Sequence, residues 1–222
     1  MGPAIQKARE DLARVGRQVA GAGLVTGTWG NLSVYVPEEG AVVVTPSGLG
    51  YDRLNPGDMV AVDLDGRILD GALKPSTELA LHLEIYRARD DVRAVVHTHS
   101  MYAAALAVAG VELPVILEEL AQVIGGTVRV AGYAMAGTHE LAFAAVQALG
   151  RVNAVLLANH GVVGVGRSLD EALQACLTVE KGAKVYLLAR QAGKPGVLSD
   201  ADVRALRSFF VKAYGQRSGG ES

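Results

Sequence analysis

The chain has 222 residues, half of them hydrophobic and a fifth charged, which is enough to bury the core of one α/β domain. Its 21 basic and 23 acidic residues give a formal charge of −2, which provides no broad footprint for nucleic acid or an anionic membrane surface. A single cysteine, Cys176, excludes an internal disulfide, and with neither a secretory leader nor a bilayer-length apolar run the expected location is the cytoplasm.

Apolar positions recur at helical spacing over residues 5–22, through Ile5, Ala8, Leu12, Val15 and Val19, and Gly21 and Gly23 end the run, so an opening helix is predicted. Between Trp29 and Leu69 the pattern changes to short β-rich pieces over residues 32–36, 41–44, 59–63 and 67–69, separated by Gly, Pro and Asp turns. Antiparallel hairpins follow from that spacing. A second helix is predicted over residues 76–88, opened by Pro75-Ser76-Thr77, with Leu79, Leu83 and Tyr86 on its buried side. Residues 92–96 form an apolar strand that runs into His97-Thr98-His99-Ser100, and a helix over 101–109 comes next.

The apolar stretches 108–115 and 121–124 suit an interface between copies of the chain. Residues 138–149 read as a helix and 153–158 as an apolar strand leading into Asn159-His160-Gly161, with 162–165 returning beside it. A long helix is predicted over 168–191, with Asp170 and Glu171 where its dipole favours them, and Ser199 begins the last helix. The expected fold class is α/β with a mainly antiparallel sheet, in one domain over residues 1–215 followed by a polar, disordered tail over 216–222.

Three of the five histidines sit where an apolar strand stops. Residues two apart on a strand share a face, so His97 and His99 present two imidazoles side by side. Three neutral nitrogens with a fourth position open is the pattern of catalytic zinc, and His160 is the candidate third ligand. Spacing alone does not join His160 to the pair, and a lone histidine at a strand end is more often structural than a ligand. Carbon–carbon bond chemistry also needs a group that moves a proton, and Glu78 is the candidate carboxylate. Local periodicity by itself favours another reading of Glu78, as capping partner of the preceding hydroxyls. His82, one turn later, reads as a packing or hydrogen-bonding residue. Two loops, Gly27 to Ser33 and Thr45 to Gly48, have anion-binding composition but neither lysine nor arginine, so with Ser76 and Thr77 they would hold phosphate through neutral donors.

Taken in order, Gly30-Asn31-Leu32-Ser33, Thr45-Pro46-Ser47-Gly48, Pro75-Ser76-Thr77-Glu78, His97-Thr98-His99-Ser100 and Asn159-His160-Gly161 resemble the signature of the class II aldolase and adducin family. That resemblance implies a single αβα domain and a homotetramer with active sites between neighbouring subunits. It implies one Zn²⁺ per subunit, or another divalent metal, held by Glu78, His97, His99 and His160, with Glu78 also carrying the proton. It places substrate phosphate on Gly30, Asn31, Ser47, Gly48, Ser76 and Thr77. The activity it implies is reversible cleavage of a ketose 1-phosphate, of the L-fuculose 1-phosphate type, to dihydroxyacetone phosphate and a small aldehyde such as lactaldehyde.

Such aldolases carry a tyrosine from the neighbouring subunit between the His-x-His strand and a Gly-Gly, whereas residues 114–126 here read PVILEELAQVIGG. Glu119, or Glu118 in its stead, occupies that place, and a carboxyl there would need burial to raise its pKa before it could donate a proton at neutral pH. Other activities within the family are methylthioribulose-1-phosphate dehydration, decarboxylation and ribulose-5-phosphate 4-epimerisation. A reading of a different class is a non-catalytic module like the adducin head, which need not keep a metal site.

Overall fold

Four short strands in the first third of the chain pair antiparallel in sequence order, the first with the second and the third with the fourth across short connections and the second with the third across the longer loop 45–59. They are β1 (Asn31–Val36), β2 (Ala41–Val44), β3 (Val60–Val62) and β4 (Ile68–Asp70). The other edge of β1 pairs antiparallel with β5 (Ala94–Thr98), β5 with β8 (Gly161–Gly166), and β8 with β7 (Ala154–Leu157), while β6 (Val130–Ala131) adds the one parallel pair. The strand order is β4-β3-β2-β1-β5-β8-β7-β6. The computed structural model describes residues 2–213, so the predicted tail lies outside the described residues.

Alternation along the strands feeds two cores. Leu32, Val43, Val96 and Val162 pack on the side of α1 (Pro3–Gly21), α3 (Met101–Ala109) and α5 (Leu169–Ala192), with Val203 of α6 (Asp200–Ala213) at its margin. Val42, Val95, Val155 and Val163 pack on the side of α2 (Leu79–Ala88) and α4 (His139–Leu149). The result is a three-layer αβα domain. Both faces of β5 are covered, so Ala94, Val95 and Val96 are all buried and His97 and Thr98 are buried after them.

Two local expectations change in the fold. The second helix starts at Leu79 rather than Ser76, because Ser76 donates its N–H to the Thr45 carbonyl and Pro46 bridges Pro75, tying these residues to the neighbouring loop. The strand predicted over 92–96 is shifted to Ala94–Thr98, since the Val92 N–H closes a turn onto the Arg89 carbonyl. Of the stretches expected at an interface, Leu113, Val115, Ala121 and Ile124 are buried while Val108 is exposed, and Leu120–Ile124 coils into a π-helical turn ended by Gly125 in the left-handed region at φ 87°. Other large exposed apolar side chains stand at Trp29, Met101, Tyr133, Met135 and Phe143.

Candidate active site

Strand register assembles the site. Asn31 on β1 and Val163 on β8 lie directly opposite His97 on β5, and the connection from β7 to β8 is a three-residue turn that carries His160. Asn159 in that turn has φ 57°, the one non-glycine residue in the left-handed region among the described residues, and asparagine tolerates it. The His160 N–H closes the turn onto the Leu157 carbonyl at 3.0 Å. Gly161 follows because a Cβ there would stand 2.3 Å from the Thr98 carbonyl oxygen and 3.3 Å from Cε1 of His97. Gly30 is equally constrained, with φ 86° and a hypothetical Cβ 2.6 Å from the His97 carbonyl oxygen.

Three imidazoles and one carboxylate meet at this end of the sheet. His97 Nε2 is 3.0 Å from His99 Nε2 and 3.3 Å from His160 Nε2, and the ring centroids are 4.7 to 4.8 Å apart in splayed, edge-on arrangements. Glu78 Oε2 is 3.4 Å from His97 Nε2, and Oε1 is 3.6 Å from His160 Nε2. One ligand atom from each of the four residues lies within 4.8 Å of the others. His97 Nδ1 donates to the Val162 carbonyl at 3.0 Å, which leaves the lone pair of the neutral ring on Nε2, facing the other imidazoles.

Two observations test whether a metal fits. Bonds of about 2.0–2.1 Å from one tetrahedral ion set its ligand atoms about 3.4 Å apart, close to the nitrogen separations seen. Glu78 Oε1 is buried and has no hydrogen-bond partner, which is costly for a carboxylate oxygen unless a cation faces it. The four residues therefore fit a divalent metal.

Local periodicity alone left Glu78 two readings. Glu78 precedes the first residue of α2 and its side chain caps nothing there; Ser76 Oγ instead accepts the Glu78 N–H at 3.2 Å. The carboxylate turns inward, where Asn31 Nδ2 donates to Oε2 at 2.8 Å. Asn31 was expected to add an amide to a phosphate cradle, but its side chain is buried and committed to Glu78. The three phosphate motifs nonetheless converge. Thr45 Oγ1 accepts the Leu32 N–H, Ser47 N–H donates to the Lys74 carbonyl, and Ser47 and Thr77 are exposed at that rim. Lys74 thus stands at the joint of two loops, a cation outside the motifs singled out in the sequence.

Glu118 and Glu119 lie outside the four-residue cluster. Glu119 pairs with Lys181, which holds its carboxyl below the ordinary range, the reverse of the rise a proton donor requires. Glu118 lines a surface cleft with Leu198, Asp202 and Phe209.

Burial first, then the neighbouring imidazoles, keep His97 and His99 neutral. His99 is lowered to about 4 by burial and by His160, with Glu78 opposing, and His97 falls well below its usual value through burial, His160 and His99. His82, wholly buried, is lowered to about 3 by burial and then by His97, again against Glu78. Unfolded histidines titrate near 6.5, so below that pH the unfolded chain binds more protons than the folded one, and stability falls as pH drops. Above about 6.5 both states are neutral and the dependence vanishes. In the presence of a chelator, the unfolding midpoint is expected to fall steadily from pH 7 to pH 5; a midpoint that stays level across that interval contradicts the assignment.

A three-layer domain carrying four metal-ligating side chains at one end of its sheet has the build of a metal-dependent enzyme rather than of an inert interaction module. The model of the Class II Aldolase and Adducin N-terminal domain matches residues 10–187. A 5-deoxy-D-ribulose 1-phosphate aldolase of Bacillus thuringiensis serovar kurstaki is 39% identical over 213 residues, 96% of this chain and 99% of that one. A 5-methylthioribulose-1-phosphate/5-deoxyribulose-1-phosphate aldolase of Rhodospirillum rubrum is 38% identical over 211 residues, 95% of this chain and 93% of that one. The solved structure of an L-fuculose 1-phosphate aldolase superposes with a TM-score of 0.90 at 38% identity, covering 92% of this chain and 96% of the other. The chain belongs to the class II aldolase and adducin family, and it is an enzyme of the aldolase class. Among the described residues, no helix is long and apolar enough to cross a membrane.

Proposed function

We propose that this protein is a zinc-dependent aldolase that interconverts a ketose 1-phosphate with dihydroxyacetone phosphate and a small aldehyde. The observation that carries this reading is Glu78, buried with Oε1 unpartnered among the three imidazoles of His97, His99 and His160. It is supported by two relatives, 39% and 38% identical over nearly their whole length, whose names specify 5-deoxyribulose 1-phosphate. Cleavage of that substrate between C3 and C4 leaves acetaldehyde; L-fuculose 1-phosphate would leave lactaldehyde. Both are ketose 1-phosphates that end in a methyl group.

The chemistry is simplest in the direction of synthesis. Glu78 takes a proton from the hydroxymethyl carbon of dihydroxyacetone phosphate, the carbon's electron pair forms the new bond to the aldehyde carbon, and the aldehyde oxygen gains a proton to become the C4 hydroxyl. His97, His99, His160 and Glu78 would hold the zinc ion, which when bound would supply Lewis-acid stabilisation of charge on the substrate oxygens. The loops at Gly30, Ser47, Gly48, Ser76 and Thr77, with Lys74 beside them, receive the phosphate. The exposed apolar side chains at Met101, Tyr133, Met135 and Phe143 favour a homo-oligomer, in keeping with a tetramer.

Purified protein is to be incubated with zinc and, separately, 5-deoxyribulose 1-phosphate, L-fuculose 1-phosphate, 5-methylthioribulose 1-phosphate and L-ribulose 5-phosphate. Dihydroxyacetone phosphate is expected from 5-deoxyribulose 1-phosphate and at a lower rate from the other 1-phosphates. Release from none of them, or a dehydrated or epimerised product in its place, overturns the aldolase reading.

A further inference from the structure

Behind Glu78 a single file of buried polar groups runs from β1 to α2 and back. Asn31 and Ser33 project from β1 on the α2 side of the sheet, and His82 and Tyr86 face them, one helical turn apart on α2. Ser33 Oγ is 2.7 Å from the Tyr86 hydroxyl and 2.6 Å from His82 Nδ1, and His82 Nε2 is 2.5 Å from Asn31 Oδ1. Asn31 Nδ2 completes the chain to Glu78 Oε2 at 2.8 Å. All five residues are buried.

The direction of every bond in this file follows from its last member. A carboxylate oxygen only accepts, so Asn31 must turn its N–H₂ toward Glu78 and its carbonyl oxygen toward His82. His82 must then carry its proton on Nε2 and donate it to Asn31. Burial keeps the ring neutral, lowering it to about 3, so Nδ1 holds a lone pair and accepts from Ser33. With its proton spent on His82, Ser33 accepts from Tyr86, whose hydroxyl burial keeps protonated. Reversing any one link reverses the rest: the other tautomer of His82 would flip Asn31 and set its oxygen against the Glu78 carboxylate.

We propose that Tyr86, Ser33, His82 and Asn31 form a positioning device for the Glu78 carboxylate, in which His82 fixes the Asn31 amide so that Oε2 is tethered and Oε1 is kept for the metal. None of Tyr86, Ser33 and His82 touches the metal cluster. They act through Asn31, and the device rests on the reading of Glu78 as metal ligand and proton carrier. Groups that orient a metal ligand in this way typically change metal affinity or activity by about 10–100-fold when removed, because a freely rotating ligand must be ordered each time it binds.

The test uses full-length protein and zinc itself, with affinity measured by competition against a chromophoric chelator and kcat and KM by dihydroxyacetone phosphate release. His82→Leu is expected to weaken zinc binding about ten-fold or more and to lower kcat about as much, with KM changed little. His82→Gln, which can still donate to Asn31, is expected to recover most of both. Ser33→Ala removes the group that fixes the tautomer while barely changing volume, so it should give a smaller loss in the same two quantities. It also decides the matter if His82→Leu does not fold. A structural role alone predicts lower melting temperatures with zinc affinity and kcat unchanged in the folded variants, and that result overturns the proposal. Glu78→Gln measured alongside separates the two levels: if it leaves zinc affinity and turnover intact, the reading of Glu78 has failed; if it impairs them while the His82 and Ser33 variants match wild type, only the positioning device has.

Discussion

His97→Ala is expected to abolish stoichiometric zinc binding and to lower kcat/KM by about 1000-fold or more, equivalent to about 4 kcal/mol of transition-state stabilisation. His97 is the ligand at the centre of the cluster, with His99, His160 and Glu78 all within 3.4 Å of its Nε2. It is also the ligand whose tautomer the sheet enforces, through the Val162 carbonyl. Removing it leaves two imidazoles and one carboxylate with no centre to converge on, and ligand loss costs more than the about 10–100-fold typical of groups that only orient a ligand. The substitution also opens a small cavity between β5 and β8, so a modest fall in melting temperature should accompany the metal loss. Metal content by elemental analysis after native purification, read beside circular dichroism, separates the two effects. A folded variant that retains one zinc per chain and wild-type turnover would remove His97 from the site.

Glu78→Gln should act on the reaction more than on the metal. The amide has the shape of the carboxylate and its oxygen can still accept from Asn31, while three imidazoles remain. Zinc is therefore expected to be retained when supplied in excess, with affinity reduced about ten-fold through loss of a charged ligand. An amide cannot take up the substrate's proton, and removal of a positioned acid–base group typically costs about 10²–10⁴-fold, so kcat should fall about 1000-fold with KM within a few-fold of wild type. Half of the reaction can be observed alone. In deuterated water, without aldehyde, the wild-type enzyme should exchange a proton at the hydroxymethyl carbon of dihydroxyacetone phosphate, and the variant should not. Exchange at the wild-type rate in Glu78→Gln would mean that another group carries the proton.

Much of the framework could be read locally. The second strand and the helix after the His-x-His segment have the bounds their periodicity indicates, Ala41–Val44 and Met101–Ala109, and the caps at Thr138 and Ser168 fall where a hydroxyl precedes an amphipathic run. The two-residue β6 carried too little pattern to be recognised. Glu78 was ambiguous for a specific reason: Ser-Thr-Glu before an apolar run is the pattern of a helix cap, and only the Pro46–Pro75 bridge, which delays the helix to Leu79, turns its side chain inward. The bonds of Asn31 to Glu78 and of His82 to Asn31 could not be read locally, because the partners stand 47 and 51 residues apart in sequence.

The sequence by itself determined the layers of this protein and the His97–His99 pair, because the periods of strand and helix, and the common face of residues two apart, are properties of a few consecutive residues. Five ordered motifs also carried the family. The resemblance of those motifs implied that His160 and Glu78 join the pair, but the contacts themselves, and the bond of Asn31 to Glu78, exist only in the folded chain. Those contacts depend on the register of β1, β5 and β8 and on the turn between β7 and β8, and register is set by burial across the whole sheet rather than by any local pattern.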